Sequence, residues 1–318
     1  MSISLSTAGR SGLVYLVGAG MLWGTGGLLG TLLGRATGLS PIAVATCRLA
    51  VGGLLLVALL AATRRPWPRN LVAWRRIGAV AVLAATFQAC YFGAVAASSV
   101  SIATLITIGA SPVVVALLEQ FTGRRAVDRR RAATIGLALS GLALLVGVPA
   151  DDVGSTGLLA GAALAVAAAA AFATVTVISS RPIEGLDPMT TTGLGFTGGA
   201  ALLTPLALTT GITFTPTPGN LALLAALGLI PTAIAYSLYF RGLPDAGPGT
   251  AAILALLEPL TGALLATIVL GERLTRLGLL GAALLTVALI LTSNQRSTPA
   301  GGLRHSSTAL DRRGGGPA

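Results

Sequence analysis

Residues 104–118 read TLITIGASPVVVALL, and residues 251–265 align with them without gaps as AAILALLEPLTGALL. Five positions are identical, and Pro112 aligns with Pro259. Weaker matches at almost the same spacing extend along the chain: Ser40-Pro41 with Asp187-Pro188, Gly52 with Gly199, and Tyr91-Phe92 with Tyr239-Phe240. The repeated unit is therefore about half of the chain, far longer than the repeat of a solenoid protein.

The composition indicates a membrane protein. Hydrophobic residues make up 54% of the chain and charged residues 10%, with a mean hydropathy of +0.85, whereas roughly a quarter of the residues in a soluble domain are charged. A helix needs about 20 mostly apolar residues to cross a bilayer, while a β-barrel strand has about 10 of alternating polarity. Ten stretches meet the helical requirement: 13–33, 42–62, 77–97, 102–121, 132–149, 157–178, 189–209, 220–240, 249–270 and 277–293.

The positions of the basic residues predict the orientation in the membrane. All 21 are arginines and give the chain a net charge of +11. They cluster in alternate loops and in both terminal segments, and only Arg35, Arg273 and Arg276 fall in the opposite loops. Cytoplasmic loops typically show this excess, so we expect both termini in the cytoplasm. Anionic lipid headgroups, rather than a nucleic acid, are the partners expected for these arginines.

The predicted fold is an all-α integral membrane bundle of ten transmembrane helices. We expect a cytoplasmic N-terminus at residues 1–12, a first five-helix repeat at 13–149 and a second at 157–293. Residues 297–318, rich in Gly, Ser, Arg and Pro, are expected to form a disordered cytoplasmic tail. Because each repeat has an odd number of spans, the second repeat must enter the membrane in the opposite sense, so the repeats are inverted.

The sequence gives little support to metal or enzyme chemistry. His305, the only histidine, falls in the tail, and Cys47 and Cys90 fall inside predicted spans. No metal site, disulfide framework or cofactor is therefore predicted. An intramembrane enzyme would need converging His, Asp or Cys side chains, or a nucleophile with a base, so we do not expect an enzyme.

Several motifs resemble the EamA family of the drug/metabolite transporter superfamily. They are WGT at residues 23–25, TCRLAVGGLLL at 46–56, LLEP at 256–259, LGERL at 270–274 and GAALLTVALIL at 281–291. The resemblance implies an inverted-repeat carrier with a central cavity that exports small metabolites, amino acids or toxic compounds. One position departs from the pattern, since Arg124 stands where the second repeat has Glu272.

Glu258 is the first candidate for a substrate- or ion-binding residue. It lies about ten residues from either end of the ninth predicted span, and a charge near mid-membrane costs about 2.5–3.5 kcal/mol. Pro259 has no N–H, so a carbonyl one turn earlier is expected to stay open. A carboxyl beside an open backbone can bind a cation or hold a proton. The alternative is a neutral carboxyl bonded to a neighbouring helix.

Arg48 is the second candidate. It lies about seven residues inside the second predicted span and aligns with Gly195, so only one half carries the charge. A guanidinium there can hold a substrate carboxylate through two parallel hydrogen bonds. Alternatively, its long side chain reaches the headgroups or bonds a backbone carbonyl.

Polar and aromatic residues of three other spans are further candidates. Gln88 and Tyr236 share a helical face with the pairs Tyr91-Phe92 and Tyr239-Phe240, so they are expected on opposite walls of a cavity. The two aromatic pairs are near span ends, where interfacial anchors are common. Trp23 lies near the middle of the first span and either lines the cavity or packs structurally.

The fourth span carries a polar stripe and a proline. The stripe consists of Ser101, Thr104, Thr107 and Ser111. It either lines the pathway, with Ser111 as a site residue, or bonds neighbouring helices. Pro112 and Pro259 are predicted hinges. At the end of this span, an interfacial ion pair is expected between Glu119 and Arg124.

Together these patterns predict a secondary active transporter of the cell (plasma or inner) membrane. It would export small metabolites, such as amino acids or related amphipathic compounds, by alternating access of its two halves. Its partners would be a small-molecule substrate and the lipid bilayer, with protons as the coupling ion if Glu258 exchanges one for substrate. The alternatives are a channel and a structural or regulatory membrane protein that transports nothing.

Overall fold

The described part of the protein is helical. The computed structural model describes residues 4–147, 155–271 and 274–294. Within these ranges the only strand-like pairing is an isolated bridge between Ile183 and Leu186, so the predicted all-α fold is confirmed. The helices are α1 (Ser4–Thr37), α2 (Pro41–Ala62), α3 (Leu71–Ala97), α4 (Val100–Phe121), α5 (Arg129–Val146), α6 (Ser155–Ser179), α7 (Pro188–Thr210), α8 (Pro218–Gly228), α9 (Ala235–Ala246), α10 (Pro248–Leu254), α11 (Leu257–Leu270) and α12 (Arg276–Asn294). The predicted tail at 297–318 and Glu272 lie outside the described residues.

Eight helical segments of the described chain are long and apolar enough to cross a membrane. They are α1, α2, α3, α4, α6, α8 joined to α9, α10 joined to α11, and α12. The other two of the ten predicted positions are occupied by α5 and α7. Arginines begin α5 and threonines lie near the start of α7, so each has a shorter apolar part. The predicted multi-pass membrane fold is confirmed, and its count of ten spans is approximate.

Polar residues at the loop ends start the helices. Seven side chains accept a hydrogen bond from a backbone N–H two or three residues later: Ser40, Asn70, Ser99, Asp128, Asp187, Thr217 and Thr275. Each bond satisfies an N–H group that a helix leaves unpaired at its first turn. The capping residues therefore fix where these helices begin.

The helices pack in pairs that relate the two halves. Equivalent helices meet where α2 packs on α7 and α5 packs on α12. α3 packs on α6, and its counterpart α9 packs on α1. Likewise, α4 packs on α6, and its counterpart α11 packs on α1. Exchanging the halves leaves the first two contacts unchanged and converts each of the others into an observed one, as a two-fold relation between inverted repeats requires.

Glycines bring the equivalent helices into backbone contact. A Cβ atom on Gly53 of α2 would lie 2.6 Å from the backbone nitrogen of Thr197 on α7. A Cβ atom on Gly141 of α5 would lie 2.6 Å from the backbone nitrogen of Leu285 on α12. Side-chain carbons do not approach so closely, so these two contacts require glycine. Close approach through small residues is a common way for membrane helices to associate.

A π turn, Leu229–Ile234, joins α8 to α9. Pro231 has no N–H with which to bond the Leu227 carbonyl, and the Thr232 hydroxyl donates to that carbonyl instead, at 2.9 Å. The Ala235 N–H donates to the carbonyl of Ile230, five residues earlier. A π turn holds one residue more than an α-helical turn, and this one directly precedes the aromatic residues of α9.

The helix of the ninth span is interrupted at Ala255 and Leu256, between α10 and α11. The Glu258 N–H donates to the Ala255 carbonyl at 3.0 Å, three residues earlier as in a 3₁₀ turn. The expectation that Pro259 leaves this carbonyl open is therefore wrong, because the neighbouring N–H takes the place of the missing donor. The matching proline, Pro112, lies inside an uninterrupted α4.

Candidate functional site

An aromatic cluster surrounds Trp23 of α1 in the interior of the bundle. The centroid of its ring lies 4.8 Å from that of Tyr236 and 4.9 Å from that of Tyr239, both on α9. Phe172 of α6 lies 5.9 Å from Trp23, and Phe196 of α7 lies 4.6 Å from Tyr236. Tilted and edge-to-face arrangements are favourable for aromatic rings, so the cluster holds four helices together.

A small cavity lies beside this cluster, between α2, α3, α6, α7 and α9. Gln88, Phe172, Phe196 and Tyr236 are among the side chains that line it. About 20 Å³ is open to the centre of a water molecule, which is room for about one water. The cavity is therefore too small in this conformation for a solute much larger than water.

Two of the predicted site residues, Gln88 and Tyr236, line the cavity with unused polar groups. Neither side chain has a hydrogen-bond partner among the described residues. The hydroxyl of Tyr239, one turn further along α9, is 2.8 Å from that of Thr176. Because the Thr176 proton is donated to the Phe172 carbonyl, Tyr239 is the donor to Thr176. Tyr239 thus has a structural bond that Tyr236 lacks.

Two buried nitrogen atoms near the cavity also lack partners. They are Nε1 of Trp23 and Nε of Arg48, neither of which bonds a described residue. A terminal guanidinium nitrogen of Arg48 lies 3.7 Å from where a Cβ on Gly26 would be, which places the charged group beside α1. The described backbone supplies no carbonyl acceptor for it.

Glu258 lies in the first turn of α11, directly after the interruption. Its side chain is partly exposed and has no hydrogen bond or ion pair with a described residue. α1 packs closely on this turn, since a Cβ on Gly24 would lie 2.9 Å from the Glu258 carbonyl oxygen. The interruption thus places an unbonded carboxyl in the interior beside α1.

These side chains form what we call the central polar cluster: Trp23, Arg48, Gln88, Tyr236 and Glu258. They come from five helices, α1, α2, α3, α9 and α11. The charges of Arg48 and Glu258 act on each other and on the Tyr236 hydroxyl, but the two residues form no ion pair. A polar group buried without a partner costs about 1–3 kcal/mol. A cluster of such groups favours a binding place for water or a solute.

Ser111 is not among the side chains that line the cavity. Its hydroxyl donates to the Thr107 carbonyl at 2.7 Å, and the Thr107 hydroxyl donates to the Ala165 carbonyl of α6 at 3.3 Å. Thr104 shares a hydrogen bond of 2.8 Å with Tyr91 of α3. These bonds support the second interpretation of the α4 stripe, in which it links neighbouring helices.

Three phenylalanines that line the cavity were not predicted from the sequence. They are Phe87, Phe172 and Phe196, whereas Phe240 belongs to the aromatic pair already placed on that helical face. Phe172 had a weak sequence signal for a cavity position, because it is the residue of the second repeat that aligns with Trp23 of the first. The other two carried none, since a phenylalanine in an apolar span suits lipid contact as well as a cavity wall.

The predicted ion pair between Glu119 and Arg124 is wrong. Glu119 pairs instead with Arg131 of α5, and both side chains are buried. Arg124 donates to the Val177 carbonyl at 3.1 Å. A Cβ on Gly249 would meet both members of the buried pair, so the start of α10 covers it. The pair thus joins α4 to α5 within the first half and lies against α10 of the second half. It is at the end formed by the α2–α3, α4–α5 and α6–α7 loops, which we call the arginine-rich end.

Comparison with known proteins matches this architecture to transporters. Residues 10–147 and 159–294 match the EamA-like transporter family. The chain is 32% identical over 281 residues to an uncharacterised transporter, YwfM, of Bacillus subtilis (strain 168), covering 88% of this chain and 93% of that protein. It is 27% identical over 296 residues to an uncharacterised inner membrane transporter, YicL, of Salmonella typhimurium (strain LT2), covering 89% and 95%. A crystal structure of 20% sequence identity has the same fold, with a TM-score of 0.72 over 89% of this chain and 96% of that one.

Proposed function

The chain belongs to the EamA-like transporter family and is a membrane transporter, and we propose that it is a secondary active carrier that binds its small-molecule substrate at the central polar cluster. The observation that carries the proposal is the set of interior polar side chains for which the described chain supplies no partner. Folding alone gives no reason to place such groups in an apolar bundle. A solute that bonds them does.

The two separated charges favour a zwitterionic substrate, such as an amino acid or a related amphipathic metabolite. Arg48 can bind a carboxylate through two parallel hydrogen bonds, and Glu258 can accept from an ammonium group. Because the two residues form no ion pair, both remain available to the opposite ends of one molecule. The rings of Trp23 and Tyr236 can cover its apolar part.

The substrate enters and leaves by alternating access. The cavity has room for about one water in this conformation, so binding requires the helices to separate. The π turn before α9 and the interruption before Glu258 adjoin the central polar cluster and are the places where a helix bends at least cost. Pro259 is the hinge at the interruption, and Pro112 is a bend within α4. The two halves, residues 13–149 and 157–293, rock against each other as units.

The arginine-rich end faces the cytoplasm in this proposal, with both termini on the same side. The excess of arginine in these loops supports that orientation. The name of the relative YicL supports an inner or plasma membrane. A proton that enters on Glu258 as substrate leaves would let the inward proton gradient drive export.

Two experiments test the proposal. A thermal-unfolding screen of the purified protein against amino acids, carboxylates, polyamines and drugs identifies a ligand, because a compound that binds the folded state raises its melting temperature. Liposomes that contain the protein are then loaded with that ligand and assayed for counterflow. Saturable uptake with counterflow is expected of a carrier. Flux that does not saturate would show that the protein is a channel and not a carrier. The absence of flux with every ligand would exclude transport of the compounds tested.

A further inference from the structure

A second pocket opens at the arginine-rich end, between the ends of α3, α6, α7 and α9. Three arginines line it: Arg76, Arg181 and Arg241. About 120 Å³ is open to the centre of a water molecule, which is room for several waters or one small anion. Among the described residues, none of the side chains that line it is acidic.

Two acidic side chains at this end, Asp187 and Glu119, are engaged elsewhere, and the exposed Glu184 of the α6–α7 loop does not line the pocket. Asp187 caps the start of α7 and lies 3.9 Å from the exposed Arg65. Glu119 belongs to the buried pair under α10. The positive charges therefore act on one another. Burial lowers the pKa of Arg124, beside this pocket, and the charge of Arg181 lowers it further, while the charge of Glu119 raises it. An anion in the pocket would relieve this repulsion.

The hydroxyl of Ser179, the last residue of α6, has no partner in the described chain. This residue is 9% exposed and lines the pocket. Arg76 is fixed beside it, because its guanidinium donates to the Arg181 carbonyl at 3.2 Å. A free hydroxyl donor next to guanidinium groups matches the acceptor oxygens of a carboxylate or phosphate.

The ring of Phe240 is a wall of both cavities. It lines the small cavity beside the central polar cluster and also the second pocket. Its centroid lies 6.2 Å from that of Tyr236. Phe240 thus lies between the arginine-lined pocket and the small cavity.

We propose that the second pocket is an oxyanion-binding site formed by Arg76, Ser179 and Arg181, which takes the carboxylate or phosphate group of a small anion. Two sources offer this chemistry, a solute in the aqueous phase and the headgroup of an anionic lipid. The site is distinct from the central polar cluster, so its existence does not depend on the proposed transport function.

Thermal unfolding of the full-length protein in a neutral detergent tests the site, with inorganic phosphate as the probe and sodium chloride keeping the ionic strength constant. In the wild type, phosphate should raise the melting temperature to a plateau. Arg181→Gln and Ser179→Ala should each weaken the apparent affinity for phosphate at least several-fold. Arg69→Gln, which removes an exposed arginine of the same end that does not line the pocket, should bind phosphate like the wild type.

The outcomes separate the site from general charge screening and from its two sources. An equal response to phosphate in all four proteins, or none in the wild type, would overturn the proposal. Ser179→Ala guards against loss of folding, since it keeps every charge. Repeating the titration with protein in phosphatidylcholine nanodiscs, with or without phosphatidylglycerol, identifies the source. Displacement of the phosphate response by phosphatidylglycerol in the wild type, but not in Arg181→Gln, would assign the site to a lipid headgroup, and an unchanged response would assign it to a solute.

Discussion

Arg48 and Glu258 carry opposite charges that act on each other inside the bundle, yet they form no ion pair. The buried pair of Glu119 and Arg131 shows that this fold does bring opposite charges into contact elsewhere. A direct pair satisfies both groups and leaves nothing for a ligand. The separation of Arg48 from Glu258 is therefore the feature on which the proposed substrate class depends.

Replacing Glu258 by glutamine should abolish transport driven by a proton gradient, because an amide cannot take up and release the proton. Uptake into liposomes with an imposed pH gradient is the measurement, and accumulation should fall to the level of the no-gradient control. Glu184→Gln, a change at an exposed glutamate of the α6–α7 loop, should accumulate substrate like the wild type. Gradient-driven accumulation that survives in Glu258→Gln would show that coupling does not use this carboxyl.

Replacing Arg48 by alanine should weaken binding of carboxylate substrates by about 10- to 100-fold, because a hydrogen bond to a charged group is worth about 1.5–3 kcal/mol. The matching amides should bind with unchanged affinity. Ligand titrations followed by thermal unfolding give both affinities. Arg35→Ala, at an exposed arginine, is the control. An equal loss for carboxylates and amides would make Arg48 a packing or gating residue.

The two tyrosines of α9 should respond differently to loss of the hydroxyl. Tyr239→Phe should lower the free energy of unfolding by about 0.5–1.5 kcal/mol, because it removes the bond to Thr176. Tyr236→Phe should leave stability unchanged and weaken substrate binding, because its hydroxyl has no partner in the described chain. Unfolding curves and ligand titrations on both variants decide the matter. A loss of stability in Tyr236→Phe with intact binding would contradict the assignment.

Gly24→Ala should lower the free energy of unfolding by about 1–3 kcal/mol, the usual range for overpacking. The new methyl would lie 2.5 Å from Thr261 Cβ and 2.9 Å from the Glu258 carbonyl oxygen. Gly27→Ala, on the same helix with nothing within 4 Å, should be neutral or more stable by up to about 1 kcal/mol. Equal stability of the two variants would show that α1 does not pack closely on α11.

Glu119→Gln should lower the free energy of unfolding by about 3–5 kcal/mol, because it leaves the buried Arg131 charge uncompensated. Arg65→Gln breaks the exposed contact with Asp187, which is 3.9 Å long, and should cost less than about 1 kcal/mol. Chemical denaturation of both variants in the same detergent compares them. A small effect of Glu119→Gln would show that this pair does not stabilise the packing of α5 beside α4.

The sequence predicted the helical spans well because their signal is local. Runs such as residues 42–62 are long and apolar, and the capping residues Ser40 and Asp187 mark where helices begin. Gln88 and Tyr236 were placed on a cavity wall by helical periodicity, and the structure lines the cavity with both. That they bind a substrate stays a prediction until the titrations are done.

Other features depended on contacts that lie far apart in the sequence. Arg124 is nearer to Glu119 along the chain, but Arg131 reaches its carboxylate because α5 folds back beside α4. The interruption before Glu258 depends on which N–H serves the Ala255 carbonyl, and the same proline signal left α4 continuous at Pro112. A repeat alignment gives both prolines the same local sequence context and so cannot distinguish them.

The π turn between α8 and α9 also makes the two halves unequal. Thr104 aligns with Ala251, and Ser40 with Asp187, at the same spacing along the chain. Tyr91 aligns with Tyr239 at a spacing that is one residue longer. A π turn accommodates one extra residue within a helix. In the proposed alternating access, two strictly identical copies would make the inward-open and outward-open states related by a two-fold rotation and equal in free energy. The inserted residue makes the two states unequal, so the proposed carrier should favour one side when empty, even across an unenergised bilayer.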